Sequence, residues 1–248
     1  MPLPAEVAYS AWLADNEKKR QQNVVLARNY YDGVQDVKLT ERQKEFLGFN
    51  TTEGERFALN YCGIVTDSVT GRLIVKQFTT STKNEALEEW ARELLTEARF
   101  DQMQREVHQG GVNDGEHFVI VDWDDEAKRP RLSPHQRYTS TEVEGDGFGC
   151  KGHYPDDDPS LPMKFASKRW TSETWEGEKR VTTQRMNLYY PDRVEAYEIT
   201  RAPGGTMEFV LQETTPWVDP VTKLALGIPV VHFRNPGTRS ELWDAIPP

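Results

Sequence analysis

Cysteine is scarce. Cys62 and Cys150 are the only two in 248 residues. One disulfide is arithmetically possible, but a disulfide framework is excluded, and neither cysteine has the CxxC neighbour of a zinc or redox motif. Cys62 falls in an apolar, helix-like run, where a thiol behaves as a small buried hydrophobe. No stretch approaches the ~18 consecutive apolar residues of a membrane-spanning helix. The opening MPLPAEVAYSAWLADNEKKR lacks a basic region followed by an apolar core, so no signal peptide is expected. Without that route, the sequon Asn50-Thr51-Thr52 is not expected to be glycosylated. Internal repeats and low-complexity tracts are lacking. Basic charge is in deficit: 30 Lys and Arg stand against 40 Asp and Glu, a formal net charge of −10. A protein that grips nucleic acid by neutralising phosphates carries the opposite sign. The acidic balance therefore argues against non-specific DNA gripping by this chain. It suits any ordinary acidic cytosolic protein first, and also a surface that lies near DNA without adhering to it.

What is there is a core-forming polypeptide. The 37% hydrophobic and 28% charged fractions are those of a globular protein. Ten Phe and seven Trp argue against wholesale disorder. Periodicity predicts a helix over residues 6–32, closed by Gly33, and a polar connecting arm over 34–55. A second helix is expected from Phe57 to Leu73, with Phe57, Tyr61, Ile64, Val65 and Val69 as one buried stripe. Arg72 to Phe78 reads as a strand. The spacing of Thr82 and Glu85 is that of a capping box. It opens a predicted helix to about Gln109, stopped by Gly110-Gly111, with Leu87, Trp90, Leu94 and Leu95 buried and Glu88, Glu89 and Arg92 exposed. From Glu116 the pattern changes to β-branched and aromatic runs between turn clusters. Strands are expected at 117–123, 137–143, 162–170, 179–190, 193–200, 207–213 and 228–233. Helices first and strands afterwards imply an α+β fold, an antiparallel meander following N-terminal helices. The expected organisation is a helix and arm over 1–55, an α+β domain over 56–235 and the start of a further helix over 236–248.

Residues with catalytic potential are few. Asp122, Asp124 and Asp125, with Glu126, follow a strand and could hold Mg²⁺ in a metal-dependent nuclease or hydrolase. They read more simply as a solvated strand-end loop. Asp156-Asp157-Asp158 lacks calcium-loop spacing and reads as a turn. The histidines, His108, His117, His135, His153 and His232, form no HExxH or His–Cys pair, and His232 reads as packed in its strand. No GxSxG elbow marks a nucleophile. Gly145-Asp146-Gly147-Phe148-Gly149 lacks a phosphate-loop lysine and reads as a turn. Trp170, Trp175, Tyr189, Tyr190 and Tyr197 have basic neighbours and could stack bases. Cross-strand pairing on a half-buried sheet explains them more simply. No catalytic, cofactor or metal site is expected, and no enzyme activity.

The order of segments resembles the portal proteins of long-tailed bacteriophages. The stretches that carry the resemblance are Asn29-Tyr30-Tyr31-Asp32-Gly33, Asn60 through Val75, and the capped helix from Thr82 leading to the strand Gly115–Asp124. Further along are Ala166–Trp170 with Leu188-Tyr189-Tyr190-Pro191-Asp192-Arg193-Val194. Last comes Leu226-Gly227-Ile228-Pro229-Val230-Val231-His232-Phe233-Arg234-Asn235, with Ser240-Glu241-Leu242 opening the next helix. Family members continue for roughly as long again, so the resemblance implies that these residues correspond mainly to the wing, with most of the stem, clip and crown beyond them. It implies a structural subunit of a ring of about a dozen copies at one capsid vertex. The ring would be a channel for double-stranded DNA in packaging and ejection. Its expected partners are the terminase and the capsid and head-tail connector proteins, with no membrane. Its place would be the virion, and the host cytoplasm during assembly. If stem and crown supply the ring contacts, this chain by itself is expected to be mainly monomeric or weakly associating, its apolar helix and sheet faces burying one another. An unrelated α+β binding domain is the other alternative.

Overall fold

The helical pattern at the N-terminus breaks at Leu13-Ala14. In the computed structural model, which describes residues 4–34, 41–46, 61–139, 149–176, 179–202 and 204–245, one predicted helix is two, α1 (Pro4–Trp12) and α2 (Asp15–Tyr31). Ala14 takes an extended conformation (φ −63°, ψ 147°), which ends the helical hydrogen-bond ladder and redirects the chain. The short helix α3 (Glu41–Phe46) is followed by α4 (Tyr61–Thr70), α5 (Glu85–Glu97) and α6 (Phe100–Asp114). The single helix expected from Thr82 is likewise divided. Arg99 sits in the left-handed region (φ 49°, ψ 47°) and separates α5 from α6. The cap of α5 is Asn84, whose side chain accepts from the Leu87 amide, rather than Thr82. The predicted strand over 72–78 is an irregular extended segment. The Leu73 carbonyl lies 2.8 Å from His108 Nδ1, the Val75 amide donates to Gln104 Oε1, and Phe78 packs edge-on to Phe100. The segment thus runs along α6 and uses side chains, not a neighbouring strand, as hydrogen-bond partners.

Two antiparallel sheets follow, as the α+β pattern requires. The first has the order β2-β1-β8, from β1 (Glu116–Asp124), β2 (Arg129–His135) and β8 (Val230–Arg234). The second has the order β3-β4-β5-β6-β7, from β3 (Cys150–His153), β4 (Phe165–Glu176), β5 (Lys179–Tyr189), β6 (Arg193–Arg201) and β7 (Met207–Pro216). The expected strand at 137–143 is not formed at Arg137–Thr139, and its remainder lies outside the described residues. The period-2 alternation of side chains builds the layers. Met186 and Leu188 of β5, with Tyr197 and Ile199 of β6, cover Ala5, Ala8 and Tyr9 of α1. Tyr189, on the opposite face, joins Ala166, Phe118, Ile120 and Val230 between the two sheets. Val119 points away again and meets Met103 and Val107 of α6. The sequence of layers is therefore α1, five-stranded sheet, three-stranded sheet, α6, with α4 and α5 resting on α6.

The Gly110-Gly111 pair does not stop α6. The helix runs through it to Asp114, and Gly115 (φ 89°) ends it. Gly110 is needed for close approach instead: a Cβ there would lie 2.2 Å from His117 Nδ1. We expect Gly110→Ala to destabilise the fold by about 1–3 kcal/mol through overpacking, read as a lower urea midpoint. An unchanged midpoint would mean that His117 can move aside.

The largest departure from the sequence reading concerns the apolar stripes of α4 and α5. On α4 the buried residues are Gly63, Thr66 and Thr70, while Tyr61, Ile64 (62% exposed), Val65 and Val69 face outward; Phe57 lies outside the described residues. On α5, Leu87 is 47% and Trp90 51% exposed, and Leu94 and Leu95 are only half-buried. Glu89 and Arg92 are exposed as expected, whereas Glu88 is half-buried and accepts from the Thr80 amide and hydroxyl. The helical period is right and the direction of the stripe is not. The stripes flank the contact with α6 rather than filling it, and among the described residues nothing covers them.

Candidate functional site

Each of the three aspartates at the end of β1 is held by its own turn. Asp122 accepts from the Trp123 amide, Asp124 accepts from the Glu126 and Ala127 amides, and Asp125 pairs with Lys128 at 3.6 Å. The Asp124 carboxyl is lowered from its usual range, first by the Ala127 amide. Among the described residues, no three His, Cys, Asp or Glu side chains gather as a ligand set would. Asp156 and Asp157 occupy a short 3₁₀ turn with positive φ. Both cysteines are free, and burial pushes the Cys150 thiol up to about 12.

The aromatic residues do not form one platform. Tyr189 and Tyr197 are buried in separate layers, and Tyr190 stacks under Arg193. Trp170 lies under Lys168, and Trp175, an odd number of residues along the same strand, projects from the other face.

The most concentrated chemistry is a buried ionic network that sequence reading did not find. The Arg137 guanidinium clamps both oxygens of Glu17 (2.8 and 2.9 Å) and reaches Glu116 at 3.1 Å. Lys151 Nζ donates to Glu17 at 2.7 Å, and the Tyr138 hydroxyl also donates to it. Arg20 Nε sits 2.9 Å from the second Glu116 oxygen, making ion contact without hydrogen-bond alignment. His232 Nε2 lies 2.8 Å from Glu116, and the Tyr154 hydroxyl lies 2.7 Å from His232 Nδ1. Glu17 is on α2, Glu116 on β1, Lys151 on β3 and His232 on β8. The network therefore ties the helices to both sheets. Burial by itself would raise the Glu116 carboxyl, but Arg137, His232 and Arg20 outweigh it and hold it lowered, to about 2. Glu17 is lowered too, with Arg137 and Lys151 outweighing its burial. Two features resemble catalytic arrangements. Tyr154, His232 and Glu116 are in relay order, yet burial raises the Tyr154 hydroxyl to about 12, the reverse of an activated nucleophile. His153 Nε2 lies 2.8 Å from Ser167 Oγ, but Ser167 is fully enclosed and also accepts from Trp12 Nε1. Both arrangements tie separate strands together: Tyr154, beyond β3, and Glu116 of β1 to His232 of β8, and His153 of β3 to Ser167 of β4.

Among the described residues the surface offers several concavities and an apolar face. A cavity of about 790 Å³ lies beside the two sheets, lined by Trp123, Tyr189, Trp217 and Leu226 with Asp122 and Asp125. A smaller one, about 270 Å³, lies between α2 and α6 beside Arg28 and His117. Arg28 is committed to Asp114, at 2.6 Å. The apolar face comprises Tyr61, Ile64 and Val65 on α4, Leu73, Ile74 and Phe78 on the extended segment, and Leu87 and Trp90 on α5. Each of these side chains is at least 43% exposed among the described residues, and exposed apolar residues in such number mark a candidate interaction surface. No protein-family model matches the chain, and no curated protein matches it.

Proposed function

We propose that the chain is a structural assembly subunit, a wing-type portion of a phage portal ring, whose work is done by surfaces and not by a catalytic centre. The observation that carries this reading is the uncovered face on α4, the extended segment and α5. Its side chains have the helical period of a buried stripe, and burial in an assembly is what such a stripe is built for. The order of motifs from Asn29 to Asn235 supports the portal type of assembly, and the net charge of −10 suits a channel protein that must not hold DNA. The ring would pass double-stranded DNA and dock terminase, capsid and connector proteins, with ATP hydrolysed elsewhere.

The expectation of a mainly monomeric or weakly associating chain rests on the helix faces burying one another within one subunit. Their exposure among the described residues favours the second outcome, reversible self-association. Light scattering over a concentration series tests it: the mean mass rises with concentration. A mass that stays at one chain throughout contradicts the assembly reading.

The rival metal-dependent nuclease predicts something different. A cation held only by the folded state would raise the melting temperature. We expect Mg²⁺ and Mn²⁺ to leave it unchanged, in the wild type and in the Asp122→Asn, Asp124→Asn, Asp125→Asn triple variant alike. Metal-dependent DNA cleavage lost in the triple variant would overturn the non-enzymatic reading.

A further inference from the structure

Three of the four sheet edges are poor templates for a further strand. β2 carries Pro130 and Pro134, β3 has four residues and β8 has five, and proline gives no N–H to a ladder. β7, the outer strand of the five-stranded sheet, is different. It runs ten residues with no proline before Pro216 and with no Lys or Arg, residues that blunt an edge. Among the described residues nothing pairs with its outer side, so every second residue turns its backbone N–H and C=O away from β6. A groove of about 550 Å³ lies along the same edge, between α1 and β7. Its apolar lining is Val7 and Tyr9 of α1 with Met207 and Phe209 of β7. Tyr9 and Phe209 meet edge to face at 5.4 Å, and Val7 is 48% exposed.

A free edge with a groove beside it selects one shape of partner. The backbone groups of the edge are satisfied by an extended strand. A strand added there sends alternate side chains over the α1 face of the sheet, into the groove. We propose that β7 and α1 form a peptide-docking site, at which an extended segment of a protein partner adds to the sheet as a sixth strand. The pattern that segment must carry follows from β7. Met207, Phe209 and Leu211 stand opposite Arg201, Ile199 and Tyr197, on the face that packs on α1, and they call for apolar residues. Glu208 stands opposite Thr200 on the other face. The bulge at Gln212 leaves Met207–Leu211 as an uninterrupted stretch beside the groove and shifts the phase, so that Glu213, opposite Ala196, shares the face of Glu208. That face of β7 thus offers two carboxylates and no cation. The nearby cations are placed elsewhere: Arg201 opposite Met207, Arg193 paired with Glu195 at 2.7 Å, and Arg185, two strands away, opposite Glu198. The complementary segment alternates apolar residues toward α1 with Lys or Arg on the opposite face. A second copy's β7 carries the same two acids and no base, so it is not the complement. This inference goes beyond the assembly reading and does not depend on it.

The probe is a fluorescein-labelled peptide of alternating lysine and valine, about six residues long to match a typical strand. In anisotropy titrations the wild-type chain is expected to bind it saturably, and hydrogen exchange of the Met207–Leu211 amides is expected to slow in the complex. The same peptide N-methylated at every residue keeps its charges but cannot pair with an edge, and it is expected not to bind. Two variants test the two faces. Val7→Gln makes the groove polar and is expected to weaken binding roughly fivefold, the effect of about one lost apolar contact. Glu208→Lys with Glu213→Lys sets like charges against the peptide and is expected to weaken it roughly tenfold or more. All three sites are exposed, and an unchanged circular dichroism melt confirms that each variant is folded. A peptide that binds equally well when N-methylated is held by charge alone, and that result overturns the site. An affinity that either variant leaves unchanged overturns it too, as does a wild type that leaves the peptide free at the highest concentration reached.

Discussion

Replacing Arg137 with Met lowers the unfolding free energy by about 3–5 kcal/mol, the range for removing one partner from a buried ion pair. Arg137 is the shared cation of Glu17 and Glu116, and all three side chains are almost wholly enclosed. Without it, two carboxylates remain in the interior. Glu17 keeps Lys151 and Tyr138, and Glu116 keeps Arg20 and His232, so the loss falls short of two bare buried charges. A stability of ~5–15 kcal/mol is typical of a folded domain, so a loss of this size is a large part of the total. Urea unfolding of the variant reads it directly. A change below about 1 kcal/mol, the scale of an exposed pair, would show that water reaches the network. The same energetics explain why the network signals no strong net stabilisation in itself: taking these charges out of water offsets much of their attraction. What it provides is registry, since only one docking of α2 on the two sheets brings Glu17 to both Arg137 and Lys151.

Acid is expected to unfold the protein early, between about pH 6.5 and 4, before most carboxylates titrate. Three histidines are held neutral. His117 is lowered to about 4, mainly by burial and then by His135 and Arg28; His135 is lowered to about 4 by burial and Lys168; His153 is lowered to about 3 by burial, Lys151 and Arg137. In that window the unfolded chain takes up protons that the folded chain refuses, so stability falls as pH falls. For fully enclosed His117 the lowering corresponds to roughly 3 kcal/mol. His153 adds a comparable amount. Glu17 and Glu116 act in the same direction at lower pH, because a depressed folded pKa gives stability that is present above the unfolded value near 4.5 and lost below it. Asp114 opposes them. Burial raises its carboxyl despite Arg28, so its contribution is present at low pH and lost as pH rises. Five groups against one leave a net acid sensitivity. Melting temperatures at intervals from pH 7.5 to 4 (a range set by these pKa values) should fall steeply below pH 6.5. A flat profile down to pH 4.5 would mean that the histidines reach solvent.

Much of the fold was legible because it is local. The strands β4 to β7 have alternating patterns between turn clusters such as Tyr190-Pro191-Asp192, and pleat geometry carries such a pattern straight into a hairpin. The α+β order followed from the same reading. Breaks in helices were less legible: Leu13-Ala14 and Arg99 contain neither Gly nor Pro, and tertiary packing decides them. The apolar stripes of α4 and α5 show where sequence reading stops. Periodicity tells that Ile64 or Trp90 belongs to a face needing cover. It does not tell whether that cover comes from the same chain. The ionic network was invisible because its members are remote in sequence: Glu17 and Arg137 are 120 residues apart, and each reads alone as a surface charge. Trp175 was noticed only as an aromatic. The register of β3 and β6, which stop short of it, is what leaves its end of the hairpin without a third strand.

The most direct test of the structural-subunit assignment is electron microscopy of the purified chain, gently cross-linked at a concentration where it associates. A ring subunit with head-to-tail contacts gives closed rings around a central channel, uniform in the number of copies. Two-fold dimers that go no further, or a chain that remains single, would contradict it.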